Sequence, residues 1–93
     1  MIKVIVTRHA CLRLQERGGN VESAVAIVTR KAPAIISTSI RCRSPRVALT
    51  GNDLPTVPVV EVSPRKYGIG LVVITALPKT NPARIPHPTV SST

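Results

Sequence analysis

The sequence predicts an α+β domain in which one or two N-terminal helices pack on an antiparallel sheet of four to five strands. Apolar residues at helical spacing are read in the stretch before Pro33, and the runs after it, over residues 34–77, read as β-rich and separated by turn-forming stretches. Size agrees with one such unit, since 93 residues of 43% apolar composition suit a single hydrophobic core. The core must be built from Val, Ile, Leu and Ala, because Phe and Trp are absent and Tyr67 is the single aromatic residue. Losing the large aromatic contributions points to modest stability, supported by a partner or by self-association into a homo-oligomer.

Taken in order, residues 3–7 (KVIVT) are short and β-branched and read as a strand. Residues 8–17 are good helix formers and stop at Gly18-Gly19, where glycine can take the left-handed conformation that ends a helix. Asn20 can cap a second helix, whose Val21, Ala24, Val25 and Val28 fall on one face. Arg30 and Lys31 stand at its negative end, and Pro33 lies beyond.

Ala34–Ile40, Arg46–Thr50, Val57–Val62 and Ile69–Leu77 then read as four strands. Gly51-Asn52-Asp53 and the stretch Pro64 to Gly68 look like hairpin connections, which makes an antiparallel meander the simplest arrangement. Ile69–Leu77 is apolar at nearly every position, as a central strand covered on both faces requires. The domain is therefore expected over residues 1–78, followed by a Pro-rich, flexible tail over 79–93.

Thirteen Lys and Arg residues oppose four acids and leave a net charge of +9. Nine of those cations are arginines, whose planar fork grips a phosphate through two hydrogen bonds where lysine offers a point charge. RNA or another polyanion is the expected partner. Cys11 and Cys42 form no CxxC pair and read as small buried hydrophobes in a reducing compartment. The apolar N-terminal stretch is short and broken by charge, so a membrane partner is not expected and a cytoplasmic location is. Phosphate-binding glycine loops, HExxH and Cys/His clusters are missing from the sequence, so neither a cofactor nor a metal is expected.

His9, Arg13 and Arg17 recur at i, i+4 and i+8, which sets a proton-transfer group beside fixed positive charge on one helix stripe. Cleavage of RNA by the ribose 2′-hydroxyl needs an acid, a base and cations around the phosphate, with no metal. His9 fits the acid or base, and Arg13, Arg17 and Arg46 fit the phosphate. Tyr67 or Lys66 is the candidate for the second proton transfer, since His87 lies in the tail. Thr75 in the central strand is suited to hydrogen bonding with phosphate or with His9. The same helix stripe also suits an ordinary solvated face, with Glu16 pairing across a turn. Arg8, Arg41, Arg43, Arg46, Arg65 and Lys66 extend the basic surface as backbone-binding candidates.

The run T-R-H-A-C-L-R-L-Q-E-R-G, followed by a short helix and strands ending in L-V-V-I-T, resembles an uncharacterised domain family of small phage- and toxin-type proteins. That family is marked by an H-A-x-x-R-x-x-x-R-G helix and a closing V-x-V-x-T-type strand. In layout it is similar to the barnase, EndoU, colicin and RelE group of metal-independent ribonuclease toxins. The resemblance spans residues 4–78. It implies an endoribonuclease with His9, Arg13 and Arg17 on an active helix, Thr75 on a facing strand and Arg46 leading a strand. Gly18-Gly19-Asn20 departs from the family's G-I-[ST] start of the second helix, and the SIRCRSP and GNDLPTVP loops are longer than its compact pattern. A toxin would also call for an acidic inhibitor protein as partner. Two other functions fit the same residues: a non-catalytic basic module that binds nucleic acid, and a phage- or virion-associated interaction protein.

Overall fold

The protein's structure, a computed structural model, describes residues 2–51, 54–66, 68–79 and 84–92. Strand β1 (Ile2–Val6) leads into helices α1 (Arg8–Glu16), α2 (Val21–Arg30) and α3 (Ala32–Cys42). Strands β2 (Arg46–Thr50), β3 (Thr56–Arg65), β4 (Gly68–Pro78) and β5 (Thr89–Ser91) follow. The five strands form one sheet in the order β1-β4-β3-β2-β5. This is an α+β fold, as the sequence predicts.

The sheet is mixed rather than antiparallel. β2, β3 and β4 form the expected antiparallel meander, but both edges, β1 on β4 and β5 on β2, pair in parallel. Parallel neighbours need a crossover connection, and the three helices supply it between β1 and the meander.

Strand β1 ends one residue earlier than expected, at Val6, and Thr7, whose N–H still donates to the Val73 carbonyl at 3.1 Å, serves as the N-cap of α1. Its Oγ1 accepts a hydrogen bond from the Ala10 N–H at 3.1 Å. The same hydroxyl lies 3.2 Å from the Val73 carbonyl and 3.3 Å from that of Ile74, so it donates back to β4. Thr7 thus joins the first helix to the central sheet. Thr7→Ala is expected to lower the unfolding free energy by about 1–2 kcal/mol, read as a lower urea midpoint at an unchanged slope. An unchanged midpoint would mean that the cap contributes nothing.

Asn20 caps α2 as expected, its Oδ1 accepting from the Glu22 and Ser23 N–H groups at 2.8 and 3.3 Å. The run 34–40, expected as a strand, is instead the body of α3. Pro33 stands in the first turn of α3, where its missing N–H breaks no hydrogen bond and its fixed φ suits the helix. Ala32, Ile35 and Ser39 follow at i, i+3 and i+7, which buries one face. The helix ends on Arg43, in the left-handed conformation at φ 51°, while the Ser39 hydroxyl donates to the Ser44 carbonyl.

All three helices lie on one face of the sheet. Ala10, Val28, Ala32 and Ile35 pack there on Val47, Leu49, Val60, Leu71 and Val73. The other face carries a smaller cluster of Ala48, Val57, Val59 and Ile85, joined by Ile74 and Leu77. Ile85 and β5 belong to the segment that composition marks as a mobile tail. Burial of Ile85 and Val90, together with pairing of β5 to β2, fixes residues 84–92 on the sheet.

The cysteines also depart from expectation. Cys42 is exposed, Cys11 is half-buried, and both are free thiols. Among the described residues no helix is long and apolar enough to cross a membrane.

Candidate nucleic-acid interface

The alternation of β4 decides where the candidate residues meet. Leu71 and Val73 face the helices, so simple alternation would turn Thr75 toward them as well. A β-bulge intervenes: Val60 pairs with Val73, whereas Val59 pairs with Thr75, so Ile74 is the extra residue. Beyond the bulge the parity is reversed. Ala76 packs under Leu14 of α1, and Thr75 shares the helix-free face with Val59 and Leu77. Pro58 sits beside this irregularity, beyond the last β2 partner Val59, where its lack of an N–H is tolerated.

His9 and Thr75 are therefore on opposite sides of the sheet and do not converge. His9 is exposed in the first turn of α1, with Ala10 and Leu14 as the buried residues of that helix. Arg13 lies one turn further along and is partly buried. Its Nη1 is 2.9 Å from Glu16 Oε2, an exposed pair worth about 0.3–0.5 kcal/mol. Arg17 terminates α1 and is exposed. Gln15, on the other flank, borders a shallow depression with Asn20 and Glu22 at the start of α2. The His9–Arg13 flank consequently turns away from that end of α2. Arg8 opens the helix, where its charge opposes the dipole, and no acidic residue offsets it in the first turn.

Four further candidate arginines divide between two surfaces. Arg41 and Arg43 close α3 on the helix side and are exposed. Arg46 and Arg65 lie on the helix-free face. Arg46 Nε is 3.5 Å from Glu61 Oε2 in the neighbouring strand. Lys3 joins them, since the register runs Lys3 to Gly70 to Ser63 across β1, β4 and β3.

Gly70 shapes the position of Arg65. A Cβ placed on Gly70 would lie 2.5 Å from Arg65 Nε, so the arginine side chain is laid across the strand in the space that only glycine leaves open. Lys66, in the turn after β3, is exposed and engaged in an interaction of its own. His87 is half-buried in the segment before β5. Tyr67 and Asp53 lie outside the described residues, so the Tyr67 candidate for proton transfer has no placement here.

Chemically, the helix-side stripe offers one imidazole and several guanidinium groups, and the helix-free face offers guanidinium and ammonium groups in register with the Ser63 hydroxyl, while Thr75 lies further along β4 opposite Val59. Both are suited to phosphate oxygens. Arg46, Arg65 and Thr75 on this face were sequence candidates, whereas Lys3, Ser63 and Gly70 carry no joint signal until the register brings them side by side.

These features define a basic, mixed-sheet α+β domain. No family model matches the chain, and neither a curated protein nor a solved structure matches it significantly.

Proposed function

We propose that this protein binds RNA through its phosphate backbone. One observation carries the reading: Arg8, Arg17, Arg41, Arg43, Arg65 and Arg84 are exposed and enter no ion pair among the described residues. Guanidinium groups left without carboxylate partners on a chain of net charge +9 are available to polyanions. With Tyr67 as the single aromatic, stacking on successive bases contributes little, so binding depends on charge and is tolerant of sequence.

A salt titration tests this. If about five phosphates of a single strand are neutralised, the slope of log affinity against log salt is near −3.5. Arg65→Ala is expected to weaken binding and to make the slope shallower by about 0.7, one phosphate's share on a single strand. A flat salt response would reject charge-based binding altogether.

Metal-independent ribonuclease action is the second reading, favoured by His9 standing one helical turn from Arg13 on an exposed flank. It rests on the resemblance of α1 to the H-A-x-x-R-x-x-x-R-G helix and must work without Thr75 beside His9. RNA incubated with the protein in EDTA would be shortened by wild type and spared by His9→Ala. Intact RNA in both leaves the binding module, the non-catalytic form of the proposal.

A further inference from the structure

The described residues with large hydrophobic side chains on the surface are Ile2, Leu12 and Ile40, and two of the three meet in one place. Ile40, at 72% exposed, projects from the outer side of α3 between two adjoining depressions. The first, about 370 Å³, is floored by Ile36, Val62 and Ile69 and bounded by Pro45 and Pro64. The second, about 510 Å³, continues over Ile36 and Ile40 to Pro33 and Ile2. Together they make one apolar groove along α3, on the helix side of the sheet. Three prolines, Pro33, Pro45 and Pro64, stand along its walls and limit how far the backbone there can relax.

Among the described residues its charged lining residues are both cations, Arg43 beside the first depression and Arg41 beside the second, with no carboxylate lining either one. We propose that this groove docks an acidic amphipathic segment of another protein. Apolar side chains on one face of the segment fill the space over Ile36 and Ile40, and carboxylates on its margin reach Arg41 and Arg43. An apolar floor rimmed by arginine is the usual make-up of a protein-binding patch.

Other occupants fit less well. A second copy would bring two chains of net charge +9 together and set Arg41 and Arg43 against their own equivalents with no acid between them. RNA would satisfy the arginines but leave the isoleucines uncovered. The inference shares Arg41 and Arg43 with the RNA reading but rests on the apolar floor, and its test uses no RNA.

The probe is a synthetic amphipathic peptide of leucines and glutamates, about four helical turns long. It would be titrated into the full chain and followed by methyl-resolved NMR. Saturable shifts are expected at Ile2, Ile36, Ile40 and Ile69, with Leu12 and Ile74 unmoved. Ile40→Glu is expected to weaken binding by about tenfold or more, and Arg41→Glu by a smaller factor that shrinks with added salt. Both positions are exposed, so the fold should persist, as unchanged Val59 and Leu77 methyl signals would confirm.

A control peptide with serines replacing the leucines separates docking from simple attraction between charges. Equal shifts with that control would overturn the proposal, as would no saturable shift at all. So would sedimentation showing a concentration-dependent dimer that Ile40→Glu abolishes, which would give the groove to a second copy.

Discussion

Ile35→Ala is expected to remove about 3–4 kcal/mol of stability, close to half of what a domain of this size holds. Ile35 is fully buried in the helix-side cluster together with Val28 and Ala32, on a helix that lies against β2, β3 and β5. Truncation leaves a cavity that the surrounding small aliphatic side chains of the cluster, among them Val28, Ala32, Val47 and Val60, cannot readily refill. Alanine is also the best helix former, so the loss reports packing and not a failure of α3 to coil. Thermal unfolding should show a midpoint lower by on the order of 15–20 °C. A fall of only a few degrees would mean that α3 does not dock on the sheet through this side chain.

Deleting residues 84–93 is expected to lower stability by about 2–4 kcal/mol, even though their composition suits a disordered tail. The deletion removes Val90 from one core cluster and Ile85 from the other. It also removes the Pro88 carbonyl that accepts from the Ala48 N–H at 2.8 Å and the Ser92 carbonyl that accepts from Arg30 at 3.1 Å. The entropy regained by the freed chain offsets part of this, which keeps the estimate below the sum of the contacts. Urea unfolding of the shortened chain, with amide exchange at Ala48, checks it. Unchanged stability and a still-protected Ala48 amide would show that the segment is not needed by β2.

The first thirty residues were the most legible in sequence. Their helices are marked by short-range signals, a capping Asn20, a Gly18 stop at φ 76° and apolar residues at helical spacing. The run 34–40 was misread because Ile35, Ile36, Thr38 and Ile40 are β-branched, and branching favours strands only where packing allows. Pro33 and the Ala32, Ile35, Ser39 spacing carried the opposite signal. The parallel edges were not legible, since antiparallel pairing is the default for runs joined by short turns and β1 finds its partner far away in sequence.

The candidate site was legible as a list of cations but not as an arrangement. Counting arginines gives the charge, and helical spacing puts His9 and Arg13 on one flank. The bulge beside Val59 and Val60 then reverses the direction of Thr75, and single-sequence alternation cannot reveal an extra residue in a uniformly apolar strand. The groove along α3 was invisible for a related reason. Ile36 and Ile40 are neighbours one helical turn apart only once that run is a helix.

Among the described residues the two borders of the sheet are β1 and β5, which lie far apart in sequence, and this imposes an order on biosynthesis. As the polypeptide emerges from the ribosome, β1 has no partner until Ile69 to Val73 have been made, and β2 lacks its outer neighbour until Thr89 to Ser91 follow. The helices can coil early, but the apolar face of β1 must stay uncovered until residues 69–73 have been made. Such long-range closure makes folding slow for a domain this small and leaves the nascent chain dependent on whatever shields it during that interval.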